Sequence, residues 1–152
     1  MEAAQSTFIS STFWTERIGP AAALKTLEVM EKERSWERIT SVGKEITRRW
    51  LDMAKQHDLR LKTFGLPALA SFSLSSEHHQ AYRTLITQEM LKKGYLAAAS
   101  IYVCLSHTPA IRDRYFQILD ELFSKIADCE RGLNPRSLIH GPLAETGFRR
   151  LN

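Results

Sequence analysis

Few side chains in this sequence are of a type and spacing that could do chemistry. The richest group is Ser10-Ser11-Thr12, three hydroxyls set just ahead of a helical pattern that starts near Glu16. A helix start leaves backbone N–H groups unpaired at the positive end of its dipole, so hydroxyls there suit an anion such as a phosphate. The same residues also suit plain N-capping, and spacing alone leaves both readings open. His78 and His79 are neighbours in sequence. On a helix they would point about 100° apart, so they read as solvated or capping histidines and not as a chelating pair.

His107 falls between a strand end and a helix cap, with no acid or thiol partner specified by the pattern, and reads as a turn-stabilising residue. Cys104 and Cys129 fall on apolar faces, as small core residues do. There is no Cys-x-x-Cys, His-Glu-x-x-His, Gly-x-Ser-x-Gly or glycine-rich phosphate loop. Spacing therefore nominates no catalytic residue and no metal site.

The elements that would position these groups follow from periodicity. Ile18, Ala21, Leu24, Leu27 and Met30 recur every three residues and predict a helix from about Glu16 to Arg34. Ser35 suits the N-cap of a second helix, whose stripe of Trp36, Ile39, Val42, Ile46, Trp50 and Met53 places both tryptophans in the core. Residues 59–64 and 68–74 alternate as strands around Gly65-Leu66-Pro67, which predicts an antiparallel hairpin.

Ser75 or Ser76 then caps a third helix that stops at Gly94, with Tyr82, Leu85, Ile86 and Met90 facing inwards. A third strand is expected at 100–105, and Thr108-Pro109 opens a last helix running to about Cys129. Residues 132–152, glycine- and proline-rich without a period, read as an irregular tail laid over the surface. The expected fold is α+β, with about four helices on a small, mostly antiparallel sheet of about three strands.

Composition narrows the function classes. At 152 residues, with 43% hydrophobic and 25% charged residues, the chain suits one ordinary globular core. No apolar run reaches the roughly 18 residues of a membrane span. The start of the sequence lacks the basic and apolar regions of a secretory signal. Two cysteines are too few for a disulfide framework and suit a reducing compartment, so a cytoplasmic location is expected. The net charge of +4 comes from 21 basic residues interspersed with 17 acidic ones, which argues against a nucleic-acid partner.

Residues 11–29, Ser-Thr-Phe-Trp-Thr-Glu-Arg-Ile-Gly-Pro-Ala-Ala-Ala-Leu-Lys-Thr-Leu-Glu-Val, resemble the segment that opens the C-terminal part of class III aminotransferases. Those are fold-type I enzymes dependent on pyridoxal 5′-phosphate, and the resemblance is to their glutamate-1-semialdehyde aminomutase-like branch. It continues in order through Phe64-Gly65-Leu66-Pro67 to Phe72, Met90 to Leu96, and Leu105-Ser106-His107-Thr108, up to about Cys129.

The resemblance implies that Thr12, with Ser11 as a possible second contact, binds the cofactor phosphate across the interface of a homodimer. It implies an amino acid or amino-sugar-type substrate for the parent enzyme. It also divides the chain into an interface and phosphate segment (1–15), a small domain (16–131) and the tail (132–152). Where many relatives carry Gly-Gly-Asn-Pro, this chain has the bulkier, charged Trp14-Thr15-Glu16-Arg17.

The family's Schiff-base lysine, ring-stacking aromatic and acidic partner of the pyridine nitrogen lie upstream of the matching threonine, and only eleven residues precede Thr12 here. None of the eight lysines matches the family's, so the expectation is a C-terminal part without its own Schiff-base lysine. A part cut from such an enzyme should expose apolar surface around Phe8, Ile9, Phe13 and Trp14. The alternative is a non-enzymatic helical α+β interaction module.

Overall fold

The computed structural model describes residues 16–145; residues 1–15 and 146–152 lie outside the description. Two compact units are present, one ending at Ser35 and the other starting at Trp36. The described part of the first is helix α1, Ile18–Glu33. A Lys25–Glu28 ion pair at 2.7 Å braces its surface, and Thr26 Oγ1 donates to the Ala22 carbonyl at 2.8 Å. Arg34 ends it at φ 48°, its N–H returning to the carbonyls of Met30 and Glu31. None of its residues is buried, and Ile18, Leu24 and Leu27 are exposed.

The second unit holds the core. Helix α2 spans Ser35–Gln56, and Asp58 just beyond it takes φ 55° before the chain turns into β1, Leu61–Phe64. Strand β2, Leu69–Leu74, returns antiparallel, with Leu61 opposite Leu74 and Phe64 opposite Ser71. After α3, His79–Lys92, the short strand β3, Ser100–Tyr102, pairs antiparallel with Leu69–Ser71, giving the order β1-β2-β3. Helix α4, Pro109–Glu130, follows, and then a 3₁₀ turn at Pro135–Leu138. Among the described residues the architecture is the expected α+β, with four helices and a three-stranded antiparallel sheet.

Alternation along the sheet separates its faces. Ala70, Phe72 and Leu74 point into the core, where Phe72 lies against the Trp50 ring with centroids 4.8 Å apart. Trp50, Leu119, Phe123 and Ile126 are fully buried at the centre, and burial of this kind contributes about 1.5–3 kcal/mol per large side chain. Lys62, Phe64, Ser73 and Tyr102 occupy the other, exposed face.

Several sequence expectations are corrected. Trp36 is 49% exposed, because the α2 stripe is only partly buried at Ile39 and Val42 and is buried from Ile46 onward. The first strand starts at Leu61, not 59, and β3 stops at Tyr102, since the chain bends away after Val103 bonds to the Ala68 carbonyl. Cys104 therefore lies beyond the strand and is exposed, whereas Cys129 is buried as expected. The third helix starts at His79, with His78 at its N-cap position and no side-chain cap. Ser76 instead accepts from the His78 N–H at 3.1 Å, in the turn that leads into the helix. Ser35 Oγ is buried without a hydrogen-bond partner and so caps nothing.

Part of the stretch 132–145 is tied to α3. Gln80, Thr84 and Gln88, spaced one turn apart, hold its backbone. Gln88 donates to the Leu138 carbonyl at 3.1 Å and accepts from the His140 N–H at 2.7 Å. Gln80 donates to the Ala144 carbonyl at 2.6 Å, and Thr84 accepts from the Ala144 N–H at 3.0 Å. Ile139 is buried beneath this ladder.

Candidate functional site

The loop from β3 to α4 gathers polar groups from three elements. His107 closes it twice: its N–H donates to the Cys104 carbonyl at 3.2 Å, and its ring Nδ1 accepts from the Cys104 N–H at 3.3 Å. An accepting Nδ1 leaves the proton of the neutral ring on Nε2. The histidine thus stabilises the turn, as its position in the sequence suggested. Thr108 then caps α4, its hydroxyl accepting from the Ile111 N–H at 3.4 Å with Pro109 following it.

Behind the loop, Arg112 joins α4 to α2. Its Nη1 donates to the His107 carbonyl at 2.6 Å, while Nε and Nη2 reach the two carboxylate oxygens of Glu45 at 3.3 and 2.8 Å. Glu45 also meets Arg49 at 3.4 Å, and Arg49 pairs with Asp113 at 2.7 Å while lying 3.9 Å above the Phe116 ring. Two acids and two guanidiniums nearly cancel, so this cluster fixes the loop and offers no free acid or base. A cleft of about 280 Å³ opens beside it, lined by Tyr95, Tyr102, His107, Ile111 and Tyr115.

A second polar group sits where α3 meets the end of α4. The Tyr82 hydroxyl donates to Glu130 Oε1 at 2.5 Å, and Ser76 Oγ donates to the same oxygen at 2.7 Å. The Tyr82 bond holds the Glu130 carboxyl below the usual carboxylate range. Burial and the neighbouring carboxylate push the Tyr82 phenol up, so it stays a donor. His57 Nε2 lies 2.7 Å from Asp120 Oδ1, tying the end of α2 to α4.

Among the described residues no group of three or more histidine, cysteine or acidic side chains could hold a metal, and no helix is long and apolar enough to cross a membrane. Ser11, Thr12 and the apolar residues Phe8, Ile9, Phe13 and Trp14 lie outside the described residues. All eight lysines are exposed, on helix surfaces or on the outer sheet face. A Schiff-base lysine needs a desolvating pocket to lower its pKa, so the described residues do not fit covalent attachment of pyridoxal phosphate. The Glu45 and Glu130 groups had no motif that sequence reading could have found, because each joins residues more than 45 positions apart.

No family model matches the chain, and no curated protein matches it. The fold does match a solved structure, the PLP internal aldimine form of the FumI protein of Sphingopyxis sp. MTA144. That match has a TM-score of 0.72 at 20% identity and covers 91% of this chain. It covers 34% of the FumI chain, so this chain spans about a third of that protein's length.

Proposed function

We propose that this chain is the C-terminal domain of a pyridoxal-phosphate-dependent enzyme of the class III aminotransferase type, similar to the glutamate-1-semialdehyde aminomutase-like branch. One observation carries the reading: nearly the whole chain superposes on a third of a PLP-binding protein, and none of its lysines is enclosed. Bound pyridoxal phosphate serves as an electron sink for amino-group chemistry.

In this reading the chain itself supplies the phosphate anchor. Thr12, with Ser11 beside it, donates to the phosphate of the site across a homodimer interface formed by residues 1–15. The substrate is a small amino compound of amino acid or amino-sugar type, and the enzyme works in the cytoplasm. The turn fixed by His107, Arg112 and Glu45 serves as a rigid wall of the domain, since its charges are already paired.

The test is to incubate the purified chain with pyridoxal phosphate, reduce with borohydride and map adducts by peptide mass. Scattered, substoichiometric labelling is expected, since exposed lysines have no reason to differ. A stoichiometric pyridoxyl group on one lysine would show that the chain carries its own Schiff-base site and would overturn the proposal. The dimer is tested by sedimentation, where loss of residues 1–15 should convert dimer to monomer.

A further inference from the structure

A cleft in the second unit lies where the strands differ in length. β3 pairs only with Leu69–Ser71, so beyond the Phe72 N–H bond to the Ala99 carbonyl, at 2.9 Å, the end of β2 keeps β1 on one side and has no paired strand among the described residues on the other. The start of α3 lies there instead, and between them a cleft of about 440 Å³ stays open. That volume falls in the range of small-molecule sites, and its lining has the usual make-up of such sites, apolar walls with a few polar groups. Phe64, Phe72, Ile86, Ala98 and Ala99 supply the apolar part.

The polar part is one-sided in charge. His79 and Arg83 stand one turn apart on α3, and Ser73 and Ser100 of the sheet also line the cleft. No acidic side chain among the described residues lines the cleft. Arg48, Arg49, Arg112 and Arg131 each meet a carboxylate, but the Arg83 guanidinium and the His79 ring have no partner among the described residues. An unpaired guanidinium beside an apolar cavity is a recognition element for a carboxylate, which it binds through two parallel hydrogen bonds.

We propose that this cleft binds a small organic carboxylate, its apolar body against Phe64, Ala98 and Ala99 and its charge on Arg83 with His79 as second donor. The permanently charged fork favours a monoanion carrying an organic body over inorganic phosphate, which would leave the apolar wall bare. The site lies wholly within residues 64–100 and does not depend on the role of Thr12.

The experiment titrates 3-phenylpropionate into the full chain and follows amide and arginine side-chain signals by NMR. Saturable shifts are expected at Ser73, Ala98, Ala99 and Arg83. The neutral analogue 3-phenylpropan-1-ol should bind about tenfold more weakly, equivalent to the loss of one charged hydrogen-bonded pair. Arg83→Gln should weaken the acid by a similar factor, and Arg48→Gln, on the far surface of α2, should leave it unchanged. Arg83 is exposed, so its replacement does not threaten folding. Absence of saturable shifts, equal binding of acid and alcohol, or an unaltered affinity in Arg83→Gln would each overturn the proposal.

Discussion

The indole N–H of Trp50 donates to the phenol oxygen of Tyr115 at 3.0 Å, inside the fully buried contact of α2 with α4. Each aromatic carries one polar atom into the core, and the phenol oxygen accepts the indole N–H. Burying either alone would cost its hydration without return. The pair therefore fixes the rotation of α2 against α4, which places Glu45 opposite Arg112 at the candidate site.

Tyr115→Phe keeps the ring and removes only the acceptor. The Trp50 N–H is then left unpaired in the core, and the expected loss of stability is about 1–3 kcal/mol. Urea unfolding should show a lower midpoint with an unchanged slope. The wild type also carries a pH signature. Burial raises the Tyr115 phenol, and the Trp50 bond only partly opposes that. A pKa raised on folding gives stability that is full below the unfolded value of about 10 and is lost as pH rises from there towards the raised folded value. Tyr115→Phe should flatten the part of the alkaline limb due to this residue.

Gly43 reverses the usual helix rule. Alanine in its place would gain up to about 1 kcal/mol from helix propensity. Yet α2 crosses the β1–β2 turn so closely that a Cβ at Gly43 would lie 1.8 Å from the Pro67 carbonyl oxygen. Both sides of that contact are backbone, so the helix or the turn must move. Gly43→Ala is expected to destabilise by about 1–3 kcal/mol, the range for overpacked sites. Equal or higher stability in thermal unfolding would show that the crossing accommodates a methyl group.

The Tyr82–Glu130 bond predicts an acid-side effect. The tyrosine hydroxyl is the main cause holding the Glu130 carboxyl below its ordinary value, and Ser76 adds to it. A depressed folded pKa gives stability that is present above the unfolded value of about 4.3 and is lost as pH falls through the folded one. The stability difference between wild type and Tyr82→Phe should therefore shrink as pH falls from 7 to 3. Carboxyl NMR titration should show Glu130 moving up in the variant.

The parts of this fold with local causes were legible in the sequence. Thr108-Pro109 announces the start of α4, Gly94 takes φ +84° where α3 was expected to stop, and Gly65-Leu66-Pro67 turns the hairpin. What escaped depends on distant partners. Trp36 shares the period of Trp50, but only the tertiary arrangement decides which part of the stripe is covered. Cys104 was placed on a strand because residues 100–105 have strand composition, while pairing ends at Tyr102 because β2 offers register partners only from Leu69. In the candidate site only Glu45 and Arg49 carry a spacing signal, one helical turn apart, whereas Arg112–Glu45 and Arg49–Asp113 meet across helices and need not be near in sequence.

The tail over α3 supplies the last prediction. Its backbone is held by side chains and not by a strand, so its order depends on Gln80, Thr84 and Gln88. Gln88 is the central member, since its amide both donates to Leu138 and accepts from His140. Gln88→Ala removes two hydrogen bonds at once, each with a net contribution of about 1 kcal/mol. Ile139 packs into the core beneath the same stretch and should keep residues 135–139 in place. Hydrogen exchange should therefore quicken at the His140 amide by roughly one to two orders of magnitude. The α4 amides should keep their protection. If His140 exchanges as slowly in Gln88→Ala as in the wild type, the ladder is incidental and burial of Ile139 alone holds the tail.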